Sequence, residues 1–360
     1  MQLESARHLK QQLLDDVVVP FTASANRVRS GGARAVTEFM RGRGMAAAAT
    51  PFGVGARPFE TLPHVQRSIA IGVARHGKGY RLAIRLQRAS LRNSPLVEHV
   101  TRKARGEVDI RVVGRIDKRA KKTAGVPWYQ RNTRPLLIGA SVGHVEVTAG
   151  TIGGFVKRGN AVYLLSNNHV LANEDRAKAG DWIIQRARFD QGRHPADDVA
   201  RLKYWIRFKK NGTNFVDAAL GAIESGITYD GNLLSGLVGG KDRQLSGIGP
   251  EFIDEGEVVY KTGRTTGPTK GRITAFDLDN VVINYDIGNL RFDGQIEIEG
   301  TGQKPFSDGG DSGSLIVNAG MQAIALLFAG SDTGGRNNLG LTFANPIRRV
   351  LKDLKASLLP

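Results

Sequence analysis

The sequence predicts an all-β body over residues 135–360, closed by a C-terminal helix and preceded by a small α/β unit. Three observations carry this. Beyond Pro135 the apolar residues come in short runs punctuated by glycine, a spacing that favours a sandwich or a pair of barrels over βαβ repeats. Residues 68–113 read strand, strand, helix, strand. The tetrapeptide Gly310-Asp311-Ser312-Gly313, followed by the apolar Leu315-Ile316-Val317, sets a serine on a glycine-bounded turn ahead of a buried strand.

The elements follow in order. Residues 2–16 carry Leu3, Leu9, Leu13 and Leu14 with charges between them, the pattern of a short amphipathic helix. Residues 27–54 are rich in Gly, Ala and Arg and end in Ala46-Ala47-Ala48-Ala49-Thr50-Pro51, which predicts a helix flanked by flexible linkers. Ile69–Val73 and Tyr80–Leu86 alternate like strands across the turn segment Arg75-His76-Gly77-Lys78-Gly79, a hairpin signal. Ser94-Pro95 opens a helix through Val97, Val100 and Ala104, with serine as N-cap and proline at the first helical position. Val108–Val113 completes a ββαβ unit.

Lys118-Arg119-Ala120-Lys121-Lys122 then reads as a basic linker open to proteolysis. Strands are expected at 143–147, 153–156, 161–165, 182–184, 258–260, 271–275, 281–285, 295–298, 314–317 and 323–328. A final helix over 345–354 packs Ile347, Val350, Leu351 and Leu354 on the barrel. The expected divisions are a helical, flexible segment 1–60, a basic α/β domain 61–117, a basic linker 118–134 and the β body 135–360.

Composition narrows the function. The chain has no cysteine, which excludes disulfides and thiolate metal sites, and its seven histidines show no paired ligand spacing. No phosphate-binding loop is complete, so no cofactor and no metal is expected. There is no apolar stretch long enough to span a bilayer and no apolar signal core at the start, so a cytoplasmic setting is expected. Of the net charge of +17, most lies in residues 1–126, with 24 Lys/Arg against 9 Asp/Glu. That imbalance is either a solvated basic surface or a docking face for an acidic partner.

The chemistry-bearing residues fall at three places. A serine hydroxyl is a poor nucleophile near neutrality and needs a base, and His169, at the end of the apolar run Leu164-Leu165-Ser166-Asn167-Asn168, is the candidate. Asp217, before Ala218-Ala219-Leu220, would orient the imidazole and stabilise its charged form. Asp197 and Asp198 are its rivals, but a lysine-bearing strand follows them. The amides of Gly310 and Ser312 would form an oxyanion hole. The order histidine, aspartate, serine, separated by 48 and 95 residues, fits the first two on one small barrel and the serine on a second.

These motifs, with Thr262-Gly263-Arg264-Thr265-Thr266-Gly267, resemble the trypsin/chymotrypsin-like serine peptidases over about residues 135–360. Within them the chain is most similar to the cysteine-free bacterial and plant group that includes the Narrow-leaf-type proteins. The resemblance implies a double β-barrel whose triad is His169, Asp217 and Ser312. It also implies that Arg264 pairs with Asp311 and preforms the oxyanion hole, a role that a freed N-terminal amine fills in animal relatives. By the same resemblance the substrate pocket has Phe306 at its floor beside Ser307, with Phe328 and Gly330 on the opposite wall. That floor favours small or medium uncharged side chains, unless the loop is shifted to bring in Asp308.

The reading that follows is a serine endopeptidase acting on protein or peptide substrates through an acyl-enzyme, its basic N-terminal region docking or regulating. A latent or inactive protease-fold scaffold that works by binding a partner is the alternative. A third is a nucleic-acid- or membrane-associated protein in which the barrels are accessory. Homo-oligomerisation stays open.

Overall fold

The computed structural model describes residues 1–15, 68–117, 126–251, 254–336 and 338–359. The helix expected within 27–54 and the linker residues 118–125 lie outside the described residues. The N-terminal part is helix α1 (Leu3–Leu13), strands β1 (Ile69–His76) and β2 (Gly79–Leu86), helix α2 (Pro95–Lys103), β3 (Val108–Val112) and the two-residue β4 (Ile116–Asp117). β1 and β2 form the expected hairpin, and β3 returns parallel to β2 after α2. Ser94 caps α2 as its sequence position predicts, its Oγ accepting the Val97 amide at 3.4 Å. Leu13 and Leu14 of the α1 segment bury against Ile69, Ile71, Leu82 and Ile84, so the amphipathic face covers the hairpin.

The first barrel contains β5 (Leu136–Leu137), β6 (Ser141–His144), β7 (Gly150–Thr151), β8 (Gly154–Arg158), β9 (Ala161–Ser166), the short helix α3 (Asn168–Leu171), β10 (Trp182–Ile184), β11 (Asp198–Trp205), β13 (Ala219–Ile223) and β14 (Tyr229–Asp230), while the two-residue β12 (Thr213–Asn214), between β11 and β13, joins the sheet of the second barrel. Its sheet runs β8-β9-β13-β11-β10-β6-β7, a curled half-barrel, while β5 and β14 form a small parallel pair. The hairpin β15 (Leu233–Val238) and β16 (Lys241–Gln244) connects it to the second barrel.

That barrel is built from β17 (Val258–Gly263), β18 (Gly267–Asp279), β19 (Val281–Tyr285), β20 (Gly288–Phe292), β21 (Gln295–Gly300), β22 (Leu315–Asn318), β23 (Ala323–Ser331) and β24 (Thr342–Pro346). Six of them close a ring, β17-β18-β21-β24-β23-β22 and back to β17. Helix α4 (Ile347–Leu354) and β25 (Ser357–Leu358) end the chain. The fold is therefore the all-β double barrel with a C-terminal helix and a preceding ββαβ unit. The expected apolar residues of α4, Ile347, Val350, Leu351 and Leu354, bury in the core of the first barrel, and β25 pairs with β8 there. The tail of the chain thus staples the second barrel to the first.

Strand β18, thirteen residues long, is too long for one role. Its first half pairs with β17, and its far end receives β1, with Ile71 opposite Asp279 and Val73 opposite Phe276. The sheet of the ββαβ unit is consequently continuous with the second barrel. A buried ion pair locks the junction: Arg85 of β2 makes two hydrogen bonds to Glu297 of β21, Nε–Oε2 at 2.6 Å and Nη2–Oε1 at 2.9 Å, both side chains being wholly buried. Thr274 Oγ1 adds a bond to the same carboxylate at 2.7 Å, and Asp109 faces the guanidinium at 3.1 Å.

The lysine-bearing strand expected after Asp197 and Asp198 is β11, whereas β20 and β24 were not expected from sequence. β11 carries Arg201 and Lys203 on an exposed face, and β24 is a run of mixed polarity whose Thr342 and Asn345 are buried by the barrel rather than by their own character.

Removing one partner of a buried ion pair strands the other charge, at a cost of about 3–5 kcal/mol. Arg85→Ala should therefore lose that much unfolding free energy, read as a lower urea midpoint with no change in slope, and Arg85→Met combined with Glu297→Met should recover most of the loss.

Candidate active site

The apolar strand β9 ends at Ser166, and the chain turns at once into α3, which sets His169 at the edge of the first-barrel core. Asp217 enters just before β13, itself paired with β9, so the pairing of two neighbouring strands brings the residues together. His169 Nδ1 and Asp217 Oδ2 lie 2.6 Å apart, and the His169 amide donates to Asp217 Oδ1 at 3.3 Å. Asn167 Nδ2 donates to the Asp217 carbonyl at 2.7 Å.

The second barrel supplies the remaining partners. Tyr285 of β19 donates its hydroxyl to Asp217 Oδ2 at 2.7 Å and sets its ring edge-on to the imidazole at 5.9 Å, while Asn345 Oδ1 accepts the Asp217 amide at 3.0 Å. Burial, and then the neighbouring Asp217 charge, push the Tyr285 phenol well above its ordinary pKa, so it remains a neutral donor. The rival aspartates are engaged elsewhere: Asp197 accepts from Asn132 Nδ2 and the Arg193 amide, both at 2.8 Å, and Asp198 pairs with His194 at 2.9 Å.

Ser312 belongs to the loop ahead of β22. Its carbonyl accepts the Thr151 amide of β7 at 2.8 Å, which ties the loop to the first barrel. The neighbouring Gly150 packs on Val170, the residue after His169, so closely that a Cβ there would fall 2.3 Å from Val170 Cγ1. Strand β7 is thus the bridge between the serine loop and the histidine helix. Among the described residues no hydrogen bond joins the Ser312 hydroxyl to His169. The Gly310 and Ser312 amides donate to no group among the described residues. Gly310 has φ +94, open to glycine at little cost, and the carbonyl of Gly309 accepts a short bond from Thr265 Oγ1. Because the carbonyl and N–H of a trans peptide point in opposite directions, that bond aims the Gly310 N–H away from Thr265.

Asp311 is wholly buried, but its partner is not the expected one. Lys261 Nζ lies 3.1 Å from Asp311 Oδ2, with both side chains excluded from solvent, and the carboxylate also accepts the amides of Thr265, Thr266 and Asp308 at 2.7, 3.1 and 3.0 Å and the Thr266 hydroxyl at 2.6 Å. Burial pulls the Lys261 ammonium below its ordinary pKa, against the opposing pull of Asp311. Arg264 pairs instead with Asp190, Nε–Oδ2 at 2.7 Å, and covers the Phe189 ring at 4.7 Å. The alternation of β17 explains the exchange. Lys261 and Gly263 share one face, where a Cβ on Gly263 would lie 2.3 Å from Asp311 Oδ1, whereas Arg264 falls beyond the strand end and turns away. Arg264 still reaches the loop indirectly, because its Nη1 donates to Thr265 Oγ1 at 2.9 Å.

The pocket residues also differ from expectation. Phe306 is 2% exposed and packs in the second-barrel core with Val259, Ile273 and Ile298, and Phe328 packs on Phe292 at 4.9 Å. Neither ring forms an open floor, because the barrel closes over both. Ser307 Oγ is 2.6 Å from Thr342 Oγ1, and Gly330 lies in the register of β23 opposite Thr342. The sequence reading missed Lys261, Thr265, Asp190, Tyr285 and Asn345. Only Lys261 had a signal, a lysine directly following the apolar Val258-Val259-Tyr260 in a strand run.

With Lys261 replaced by methionine, Asp311 keeps its hydrogen bonds from Thr265, Thr266 and Asp308 but loses that from Lys261 and, with it, its only buried countercharge among the described residues. Lys261→Met is expected to lose about 3–5 kcal/mol of stability by urea denaturation. At temperatures where it remains folded, it should react with a fluorophosphonate at least about tenfold more slowly than wild type.

No protein-family model matches the chain, and no characterised protein matches it by sequence. Among solved structures it is similar to Thermobifida fusca Protease A, at 19% identity with a TM-score of 0.44 over 62% of this chain and 98% of that one. A glutamic-acid-specific serine protease described as using a histidine triad in substrate binding is 20% identical, with a TM-score of 0.45 over 62% and 100%. Nocardiopsis protease is 19% identical, with a TM-score of 0.45 over 62% and 99%. At these scores the double barrel rests on its own strand pairings.

Proposed function

We propose that the chain is a serine endopeptidase that cleaves protein substrates through an acyl-enzyme. The observation that carries this reading is the buried His169–Asp217 pair, held from both barrels, together with a serine loop whose Gly310 and Ser312 amides are unengaged among the described residues. In the proposed reaction Ser312 Oγ attacks the scissile carbonyl carbon while His169 Nε2 takes the hydroxyl proton. The carbonyl π electrons move to oxygen, and that oxyanion accepts from the two amides. Collapse breaks the C–N bond, with His169 returning the proton to the leaving amine. Water, deprotonated by His169, then attacks the ester and releases the acid and the serine. Asp217 holds the imidazole and takes no proton, and Tyr285 and Asn345 hold Asp217.

The basic N-terminal region fits the role of docking an acidic partner or substrate, and the cysteine-free composition suits a reducing, cytoplasmic compartment. A second reading, a latent barrel acting through a partner, is favoured by one observation: Ser312 and His169 are not hydrogen-bonded to each other.

Fluorophosphonate labelling followed by intact mass decides between the two. Wild type should gain one adduct and cleave a denatured protein, and Ser312→Ala should do neither. No adduct on wild type would favour the latent barrel. Asp217→Asn should reduce turnover by about 10⁴-fold. In Tyr285→Phe the Asp217 carboxylate loses its hydroxyl donor from the second barrel, so kcat should fall by about threefold to tenfold with KM little changed.

A further inference from the structure

The edge of β23 that leads to the nucleophile is already occupied by the chain itself. β22 pairs with β23 through Leu315 opposite Leu326, and just beyond it the Gly313 amide donates to the Leu327 carbonyl at 2.8 Å. The next residues of β23, Phe328 and Ala329, therefore run past Ser312. β24 holds the opposite edge, with Gly330 facing Thr342. On the edge that β22 leaves free, Asp117 of β4 pairs with Gly330 and Ile116 with Ser331, antiparallel. The antiparallel sense means that β4 points from Ser331 toward Gly330, along β23 in the direction of Ala329, Phe328 and the serine loop.

An extended peptide delivered to Ser312 must satisfy its backbone groups, and adding a strand to the adjacent sheet edge is the direct way to do so. We infer that β4 is a built-in occupant of this edge, which in the intact chain denies substrates any backbone pairing beyond the two residues nearest the scissile bond. The inference rests on the peptidase reading above. β4 is firmly seated. Ile116 is 1% exposed and packs in a cluster with Val113, Phe328, Leu341 and Phe343. Its other edge receives β19 in parallel, with Asn284 opposite Asp117. With β4 in place the edge open to substrate ends at Ala329, so residues further upstream of the scissile bond find no strand to pair with. Release of β4, by processing of the N-terminal region or by a partner that binds it, opens Gly330 and Ser331 and lets longer segments of protein gain that pairing.

The test uses the full-length chain and fluorogenic peptides with two or four residues before the scissile bond, sharing the two nearest to it. Two variants loosen β4 without touching the catalytic residues. Ile116→Asp buries a charge at its seat. Gly114→Val acts one turn earlier, where φ is +69 and a Cβ would lie 2.5 Å from Thr333 Oγ1. For wild type, kcat/KM should agree within about twofold between the two lengths. In either variant the longer peptide should gain about tenfold or more, the worth of one or two recovered backbone hydrogen bonds, with the shorter peptide and the rate of fluorophosphonate labelling unchanged. A wild type that already gains tenfold from the added residues, or variants whose length dependence stays flat, would overturn the inference. Absence of labelling in all three proteins would remove the peptidase reading, and this inference with it.

Discussion

The charge of Asp311 is the constraint around which the second barrel is organised. A carboxylate excluded from water is tolerable only if its lone pairs are met and a countercharge is close. Lys261 supplies the charge, and the amides of Thr265, Thr266 and Asp308 supply directional donors. These partners come from β17, the turn after it and the serine loop itself, so satisfying one carboxylate fixes three segments relative to one another. The Gly309 carbonyl, held by Thr265 Oγ1, is a consequence of the same arrangement. The Gly309–Gly310 peptide is thus oriented from behind, by groups of the neighbouring turn.

The two barrels meet at a second set of buried polar groups. Asp217 belongs to the first barrel by sequence, yet two of its four side-chain or backbone partners, Tyr285 and Asn345, come from the second. Separating the barrels would leave a buried aspartate and a buried phenol unsatisfied, which makes the joint costly to open and the imidazole position well defined. Thr151 adds a bond from β7 to the Ser312 carbonyl, and α4 and β25 carry the end of the chain back to the first barrel. The active-site candidates therefore lie where cross-barrel contacts are densest.

The N-terminal unit is coupled to this site by strand continuity. β1 pairs antiparallel beside the far end of β18, Arg85 reaches Glu297 through the sheet, and β4 lies between β23 and the hairpin that carries Tyr285. An event that shifts this unit would be felt first at the edge of β23, where β4 pairs with Gly330 and Ser331. The coupling between the N-terminal unit and the barrels is thus a property of sheet topology.

Much of this was legible in the sequence, where local pattern determines the outcome. Alternation and turn residues located the hairpin of β1 and β2, Ser94-Pro95 marked the start of α2, and helical spacing picked out the buried face of α4, because each depends on residues only a few positions apart. His169 and Asp217 were legible for a similar reason: each adjoins an apolar strand, and the strands are neighbours. What tertiary structure alone decided is which distant side chain meets which. A sequence cannot say whether Lys261 or Arg264 will face Asp311, since a difference of three positions across a strand end reverses the side on which a residue emerges. Nor could it place Tyr285 beside Asp217, bury Phe306 in a closed barrel, or lay Ile116 and Asp117 on β23. Those contacts join segments far apart in the chain, and they are fixed by how barrels close and sheets extend.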